Sequence, residues 1–323
     1  MSQALTTGSR RFTDLITWIF SLKFPEILVP EAPLKEWWHH HLPLISDWDL
    51  PIDQALVGGV VAPSMGYAFA AGYQAAIRCL IPSTPVNKLA AFCVTEQGGG
   101  HPGAIQTQLN LAPESADGTL SGEKSFVTMG LHADLLLIAA STGIHENGQN
   151  IIKMVQLPAT THGLVFHNLP LLPFVPEVPH SRIELKHCPV MPHQILSGDG
   201  YQDYIKPFRT VEDIHLLSAI IGYLLQIALR FDWPEELVER LLSLFAAFRM
   251  LVLSDLNHAA SHLVLAGVLG QFHEVLENLE PLWSRTDDVI ASMWERDKKL
   301  LAVAEKARKK RLSNAREKLG MRS

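Results

Sequence analysis

The sequence predicts an α+β multidomain protein with an N-terminal α-helical domain, a middle β-barrel-like domain and a C-terminal α-helical bundle. Prolines divide the first part of the chain into short helical segments, short apolar runs between turn residues fill the middle, and long stretches of helical periodicity follow. The 323 residues can form one large core or two to three smaller ones, and a charged fraction of only 19% excludes a disordered or coiled-coil protein. We place the domains at residues 1–89, 90–200 and 205–323.

The first domain is predicted to consist of short helices. Prolines interrupt the segment Ser9–Cys79, and a helix interior does not normally accommodate proline. These prolines are Pro25, Pro30, Pro33, Pro43 and Pro51. The uncharged stretch Gln54–Ile77 is long enough to span a bilayer, but its glycines, Pro63 and polar residues favour a small-residue helix packed inside the protein. We therefore expect no membrane span.

The middle domain is predicted to be a set of strands joined by turns. Short apolar runs are separated by Gly, Asn, Asp and Pro, the pattern typical of β-structure. The runs are Ala91–Val94, Ser125–Thr128, Leu135–Ile138 and Ile151–Val155.

The last domain is predicted to be a bundle of long helices. Its helical segments are Val211–Phe231, Pro234–Leu253, Asp255–Leu279 and the charged Asp288–Leu319. The tail Arg296–Ser323 contains 11 Lys and Arg against 3 Asp and Glu, a formal charge of +8 that leaves −14 for the rest of the chain. A basic helix can meet nucleic acid or an anionic membrane. Its apolar stripe, however, favours a packed terminal helix, and we expect no nucleic-acid partner.

The cysteines indicate a reducing compartment. Cys79, Cys93 and Cys188 lie far apart without a CxxC pair, so neither a disulfide framework nor a thiolate zinc site is predicted. We expect a cytoplasmic protein. No metal site is predicted, because the histidines of His39–His41 and the set Asp255, His258 and His262 lack the further donors that complete a site.

Two glycine-containing segments of the middle domain carry most of the chemical information. The first, Ala91–Gly103, reads AFCVTEQGGGHPG, a strand that enters a glycine-rich loop, and the second, Leu120–Gly130, reads LSGEKSFVTMG. A triple glycine alone is most often a tight turn, and only a minority of such loops expose backbone N–H groups to a phosphate. The order and spacing of the two segments are more specific than either one.

Together the two segments resemble the acyl-CoA dehydrogenase family, whose middle β domain carries motifs of the form TEPxxGS and NGxKxxITN. The resemblance extends from about Asp53 to about Arg230, and the family's order of helical, β and helical domains matches the three zones. It implies an FAD-dependent flavoprotein that catalyses the α,β-dehydrogenation of an acyl-CoA thioester in fatty acid metabolism and passes electrons to an electron-transfer flavoprotein. It also implies a homodimer or homotetramer.

Carried over by position, the family's FAD site falls on residues of both motifs. Thr128 would lie near the flavin N5, and Phe126 takes the place of the usual tryptophan, keeping an apolar cover without an indole donor. The predicted FAD-binding residues are Phe92, Val94, Thr95, Gly100, His101, Phe126, Val127 and Thr128. His101 stands where the family has a serine that touches phosphate and substrate, so we predict that it contacts the substrate too. A purely structural loop histidine is the alternative.

The reaction requires a poorly solvated carboxylate that removes the α-proton of the thioester, because desolvation raises the pKa toward the working pH. By analogy with the isovaleryl- and long-chain-type enzymes this base is Glu212, and Gly222 keeps the family's spacing from it. The alternative for Glu212 is a first-turn carboxylate that complements the helix dipole. The second candidate, by analogy with medium-chain enzymes, is Asp288 upstream of Arg296-Asp297.

Departures in the last domain motivate two other interpretations. Asp213, a predicted substrate-binding position, stands where the family usually has an arginine near the CoA, and the family's Arg-x-x-Phe-Gly and Gly-Gly-Gly-Tyr segments have no counterpart. One alternative is therefore a non-catalytic or half-site subunit of a hetero-oligomeric dehydrogenase. The other is a related flavin oxidase or monooxygenase.

Overall fold

The computed structural model describes residues 11–23, 32–112 and 117–321. Tertiary contacts divide the chain into two compact units, a helical unit of Met1–Cys79 with Val211–Ser323 and a sheet unit of Leu80–Thr210. The helices that precede the sheet and those that follow it therefore belong to one unit. The three domain boundaries inferred from the sequence stay predictions.

The predicted helical zones are confirmed at both ends of the described chain. The helices are α1 (Phe12–Ser21), α2 (Leu34–Ser46), α3 (Pro51–Val60), α4 (Met65–Leu80), α5 (Lys206–Arg230), α6 (Glu235–Val252), α7 (Ala259–Leu279), α8 (Asp288–Asp297) and α9 (Glu305–Lys318).

The expectation that every proline would interrupt a helix is wrong for Pro43. Pro43 lies inside α2, which continues to Ser46. Proline removes the hydrogen bond that its nitrogen would donate to the carbonyl four residues earlier, here that of His39. Both residues are exposed, so the carbonyl of His39 remains accessible to water. Pro25 and Pro30 lie outside the described residues.

The single helix predicted over Gln54–Ile77 is in fact two helices. Pro63 falls between the end of α3 at Val60 and the start of α4 at Met65, where it prevents the backbone from continuing. Both helices are largely buried, as expected for small-residue segments packed inside a protein.

Two glycines allow α3 and α5 to approach at backbone distance. A Cβ atom at Gly59 would overlap the carbonyl oxygen of Ala219, and one at Gly222 would overlap that of Leu56. Any side chain at these positions would push the helices apart. Gly222 therefore has a packing role in addition to the spacing from Glu212 noted in the sequence.

The charged segment Asp288–Leu319 was predicted as one helix, and this prediction is wrong. A 3₁₀ segment, Lys298–Ala302, separates α8 from α9. No proline or glycine marks this break in the sequence, although Leu300 within it is buried.

The helix predicted from Asp255 begins later, at Ala259. Asp255 and His258 precede α7, where His258 is the N-cap, so they do not share a helix face with His262.

The sheet unit contains a curled seven-stranded sheet, as the apolar runs predict. Its strands are β1 (Ala90–Cys93), β2 (Gln108–Leu111), β3 (Gly118–Thr128), β4 (Leu135–Ile144), β5 (Asn150–Pro158), β6 (Leu164–Asn168) and β7 (His180–Val190). The strand order is β1-β4-β2-β3-β7-β6, with β5 paired to β4. One face packs on a core formed by apolar residues such as Leu136, Ile138 and Val155.

One helical stretch, Gly200–Arg230, is long and apolar enough to cross a membrane by length and composition. It combines a π-helical segment, Gly200–Ile205, with α5. Of its most apolar window, 94% is buried inside the protein, which is typical of a core helix.

Candidate functional site

The glycine-rich loop after β1 is a tight turn closed by backbone hydrogen bonds. Glu96 and Gly99 exchange both of their backbone N–H···O bonds, at 3.1 and 2.8 Å. Gly99 has φ +106°, a conformation that side-chain-bearing residues rarely adopt. The turn explains at least one glycine of the triplet in structural terms.

Backbone donors of this loop remain available. Within the described residues, the N–H groups of Gly98, Gly100 and His101 donate to no acceptor. His101 is exposed, and Gly100 is half-exposed. Successive free N–H groups in a turn form a concave site for an anion, which is the minority role that the sequence left open for this loop.

A buried ion pair joins the two sequence motifs. Lys124 is fully buried, and its Nζ lies 2.5 Å from Oε1 of Glu96 and donates to the carbonyl of Ala139 at 2.7 Å. The Glu96 carboxylate also accepts bonds from both backbone N–H groups of Gln106 and Thr107 and from the Thr107 hydroxyl. Burial lowers the pKa of Lys124, while the Glu96 carboxylate acts in the opposite direction. The lysine of one motif thus anchors the glutamate of the other.

The backbone also links the motifs directly. The N–H group of Ser125 donates to the carbonyl of Thr95 at 2.9 Å, and the Ser125 hydroxyl reaches the same oxygen at 3.3 Å. Segments separated by some 30 residues in sequence therefore lie side by side, as the resemblance to the dehydrogenase motifs implies.

Phe126, Thr128 and His180 share one face of the sheet. Thr128 pairs with His180 across β3 and β7, and directly opposed residues in an antiparallel pair point to the same side. A β-bulge between Lys124 and Val127 changes the register there and leaves Phe126 exposed while Lys124 is buried. This face presents an aromatic ring and a hydroxyl two residues apart.

The His180 ring packs against the exposed ring of Phe126. The rings of Phe126 and His180 stack at 4.2 Å with an interplanar angle of 26°. Burial lowers the pKa of His180 to about 4, so its imidazole is neutral near neutral pH. His180 was not predicted as a site residue, because its place opposite Thr128 depends on a strand register that the sequence does not reveal.

Other predicted FAD-binding residues are covered by protein. Phe92 is buried and stacks on Phe208 at 4.0 Å, Val94 is buried, and Val127 belongs to the core of the sheet. Contacts from these three to a ligand would have to come mainly from the backbone. Thr95 and Thr128 are half-exposed. The roles assigned to all these residues stay predictions.

Arg209 lies near the loop and has no predicted role. A Cβ built on Gly100 would lie 3.6 Å from Nη2 of Arg209 and 3.7 Å from Oγ1 of Thr95. Arg209 therefore places a guanidinium beside the glycine-rich loop. No spacing rule connects it with a segment more than 100 residues earlier, so only the tertiary structure identifies it.

Glu212 lies in α5 of the helical unit, on the seventh residue of that helix, and is half-buried. The first-turn alternative for Glu212 is therefore wrong, because the helix begins at Lys206 and a π-helical segment precedes it. A half-buried carboxylate has lost part of its hydration, which is the condition attached to the predicted general base.

Two polar residues close to Glu212 on α5, Asp213 and His215, are buried. Asp213 is bound by Arg308 and Arg311 of α9, with Nη2 of Arg308 at 3.0 Å. His215 is fully buried, its Nδ1 lies 2.7 Å from the carbonyl of Val211, and burial lowers its pKa to about 4. Asp213 thus connects α5 to the last helix, and its predicted contact with substrate stays a prediction.

The second candidate base, Asp288, is exposed in the first turn of α8. The positive N-terminal end of the helix dipole stabilises a carboxylate in this position, and the exposed carboxylate stays well hydrated. Its exposure does not provide the desolvation expected of the predicted base, so Glu212 remains the better candidate.

A groove of about 900 Å³ opens between α7, the 3₁₀ segment and α9 of the helical unit. Its wall is largely apolar, with Leu269, Leu276 and Leu312, and its rim carries Lys298 and Lys309. Both lysines are ion-paired, with Glu280 and Glu305 respectively. None of the residues predicted for the flavin or the substrate lines this groove.

Among the residues that the structure describes, no group of three or more His, Cys, Asp or Glu side chains is placed to hold a metal ion. The three cysteines are free, and burial raises the pKa of the Cys93 thiol to about 12. A buried thiol that stays protonated is unreactive.

No protein-family model and no curated protein matches the sequence. Solved structures do match over nearly the whole chain. An FAD-dependent dehydrogenase has a TM-score of 0.68 at 15% identity, covering 96% of this chain and 97% of that one. Butyryl-CoA dehydrogenase from Megasphaera elsdenii has 0.66 at 16%, covering 98% and 99%. A structure described as the electron transferring flavoprotein of Acidaminococcus fermentans has 0.68 at 14%, covering 98% and 99%.

Proposed function

Since the chain has the acyl-CoA dehydrogenase fold, we propose that it is an FAD-dependent oxidoreductase that dehydrogenates an acyl-CoA thioester between its α and β carbons. The observation that carries the proposal is the meeting of the two motifs in the sheet unit. There the loop of Gly98–Gly100 offers free N–H donors, and β3 presents Phe126 and Thr128 on one face. These groups fit a flavin, which needs an apolar cover and hydrogen-bond donors to its polar edge.

The residues of the sheet unit would bind and orient the cofactor. Phe126, held by its stack on His180, would cover the apolar part of the ring system, and the Thr128 hydroxyl would donate toward N5. Thr95 and the free loop N–H groups would hold polar atoms of FAD. FAD itself supplies the acceptor for the hydride that leaves the β-carbon.

In the helical unit, Glu212 would remove the α-proton of the thioester. Glu212 is half-buried, and a general base of this reaction has to be poorly solvated. The Asp213 carboxylate beside it does not compete for this role, because two arginines already bind it.

The test uses the purified full chain and its flavin absorbance. We expect the protein to retain FAD and the absorbance to bleach when an acyl-CoA is added without oxygen. Glu212→Gln should keep FAD and lose bleaching by about 100- to 10,000-fold in rate, the usual contribution of a general base. Asp288→Asn is the matched control and should bleach like the wild type. A colourless protein that does not retain added FAD would contradict the proposal.

Electron-transfer flavoprotein is the proposed electron acceptor, and a homodimer or homotetramer is the proposed assembly. Fast reoxidation by oxygen after bleaching would instead indicate the flavin oxidase or monooxygenase. The electron acceptor, the assembly and the alternative activity all follow from the family resemblance and from no contact in the structure.

A half-site subunit is the second candidate, and Asp213 is the observation that favours it. Where the dehydrogenase family usually has an arginine, this chain has the carboxylate of Asp213, which is already ion-paired with Arg308 and Arg311. A partner subunit would then have to supply a cation for CoA. Co-purification with a dehydrogenase-like partner would support this candidate, and turnover by the isolated chain would exclude it.

A further inference from the structure

The face of the sheet unit that carries Phe126 contains a second ring, that of His180. The strand register places His180 directly opposite Thr128 and diagonally opposite Phe126 across β3 and β7. Aromatic side chains can bridge such a diagonal, and the two ring planes are inclined by only 26° with their centroids 4.2 Å apart. Phe126 is nevertheless 42% exposed. Its ring therefore has the imidazole on one side and keeps a surface that a ligand can cover.

The ring contact is the interaction that the side chain of His180 makes. His180 is buried, yet within the described residues its ring nitrogens form neither a hydrogen bond nor an ion pair. Buried polar groups usually have a hydrogen-bond partner, so polar pairing does not explain a histidine at this position. Burial lowers its pKa to about 4, so the imidazole is uncharged near neutral pH and packs as a neutral aromatic ring.

The backbone on both sides of this pair of strands is fixed. The N–H group of Met129 donates to the carbonyl of Pro179 at 2.8 Å, and the N–H group of Leu169 donates to the carbonyl of His180 at 3.1 Å. Met129 and Val175 have φ +57° and +43°. This left-handed conformation is unfavourable, above all for a β-branched residue, and persists where the surrounding structure imposes it. Left-handed residues after β3 and before β7 therefore flank the two rings.

The sequence that leads into β7 also limits where His180 can lie. Prolines stand at every third position before it, and each one fixes its own φ angle and removes conformational freedom from the chain. These prolines are Pro170, Pro173, Pro176 and Pro179. The loop before β7 therefore has few alternative conformations, which favours a single position of the imidazole.

We propose that His180 is a positioning residue, which fixes the plane of the Phe126 ring and thereby sets how tightly this face of the sheet binds a planar aromatic ring system. The inference rests on the proposed function, since that ring system would be the flavin of FAD. A phenyl ring that is already held in place loses little rotational freedom when a ligand stacks on it, so the ligand binds more tightly. His180 acts through Phe126 and makes no contact with the ligand itself.

Two substitutions separate the ring of His180 from the volume that it fills. His180→Leu introduces an apolar side chain without a ring, whereas His180→Phe keeps a planar ring. In calorimetric titrations we expect His180→Leu to weaken FAD binding by about 2- to 10-fold, the contribution of one aromatic pair, and His180→Phe to retain the wild-type affinity. Riboflavin, which carries the flavin ring without adenine or phosphates, should show the same pattern. His193→Leu, the same change at an exposed histidine of the sheet unit, is the control and should match the wild type.

The ring contact is measured separately, without flavin, by NMR of the full chain with labelled phenylalanine. A stacked imidazole shifts the ring resonances of Phe126, which are assigned by their loss in Phe126→Leu. We expect this shift to disappear in His180→Leu and a ring-induced shift to persist in His180→Phe. Resonances of Phe126 that are unchanged in His180→Leu would overturn the inference, because the imidazole would then not hold the phenyl ring.

Failure of the inference and failure of the proposed function give different results. Equal affinities of His180→Leu and His180→Phe for FAD, whether both are unchanged or both are weakened, would overturn the inference, because the ring would then not be the relevant property. Retention of FAD by the wild type would leave the proposed function standing in that case. A wild-type protein that binds neither FAD nor riboflavin would contradict both.

Discussion

Each unit buries a carboxylate in an ion pair, directly after a residue predicted for the site. In the sheet unit Glu96 follows Thr95 and pairs with Lys124, whose side chain is 0% exposed. In the helical unit Asp213 follows Glu212 and pairs with Arg308 and Arg311, which are 17% and 18% exposed. The first pair lies within the two motifs and joins them, whereas the second connects α5 to a helix about 95 residues away. The sheet unit thus keeps both partners inside recognisable motifs, and the helical unit does not.

The largest expected loss of stability is at the buried Lys124–Glu96 pair. Lys124→Met leaves the Glu96 carboxylate buried without a cation, so we expect the free energy of unfolding to fall by about 3 to 5 kcal/mol. The loop of Gly98–Gly100 should also lose its anchor, so FAD retention should fall. Denaturant titration of the purified variants measures the first effect, and flavin absorbance measures the second.

The double variant Lys124→Met/Glu96→Gln tests the cause. It removes the uncompensated charge and should recover part of the lost stability. Lys186→Met is the control in the same unit, since this lysine is exposed and pairs with Glu184 at the surface, where a loss below about 1 kcal/mol is expected. Equal losses for Lys124→Met and Lys186→Met would contradict the assigned role of the buried pair.

The next effect concerns acid, and it involves buried histidines in both units. Burial lowers the pKa of His215 and of His41 in the helical unit, and of His180 in the sheet unit, each to about 4. A histidine with a folded pKa below its unfolded value of 6.5 contributes stability above about pH 6.5 and loses it as the pH falls toward 4. For His215 the loss is about 3 kcal/mol at most.

His215→Gln should therefore flatten the dependence of unfolding free energy on pH between about 6.5 and 4. Denaturant titrations at several pH values give this slope. His193→Gln is the control, because His193 is exposed in the sheet unit and should leave the slope unchanged. If the slope of His215→Gln equals that of the wild type, the buried neutral imidazole is not the source of acid lability.

The smallest loss of stability is expected at the ion pairs of Asp213, whose arginine partners are partly exposed. Asp213→Asn removes the carboxylate, but both guanidinium groups can turn toward water, so we expect a loss of about 1 to 2 kcal/mol. Thermal and denaturant unfolding measure it. A loss as large as that of Lys124→Met would show that the two ion pairs contribute equally to stability, which would contradict the expected difference between them.

The sequence predicted the order of helical, β and helical zones and the four strand segments, because these depend on local periodicity and turn residues. It also paired the two motifs, which are joined by Lys124 and Glu96 from within the motifs themselves. It did not find His180, Arg209 or the arginines that bind Asp213. Those contacts depend on strand register and on helix packing over long sequence separations, which a single sequence does not encode in any short pattern.

The helix boundaries also divide into those with a local sequence signal and those that depend on the folded chain. The break at Pro63 has a visible cause in the sequence, whereas the 3₁₀ segment at Lys298–Ala302 has neither proline nor glycine. Tolerance of Pro43 within α2 depends on the exposure of His39, which is a property of the folded chain.

The contact of α3 with α5 through Gly59 and Gly222 sets the angular phase of α5 about its own axis. Successive residues of an α-helix are turned by about 100°, so a rotation of α5 by a fraction of that angle already changes the direction that Glu212 takes. A methyl group at Gly222, about three turns away, would therefore alter the setting of Glu212 without touching it. A loss of activity in Gly222→Ala would then report helix rotation rather than a missing catalytic group.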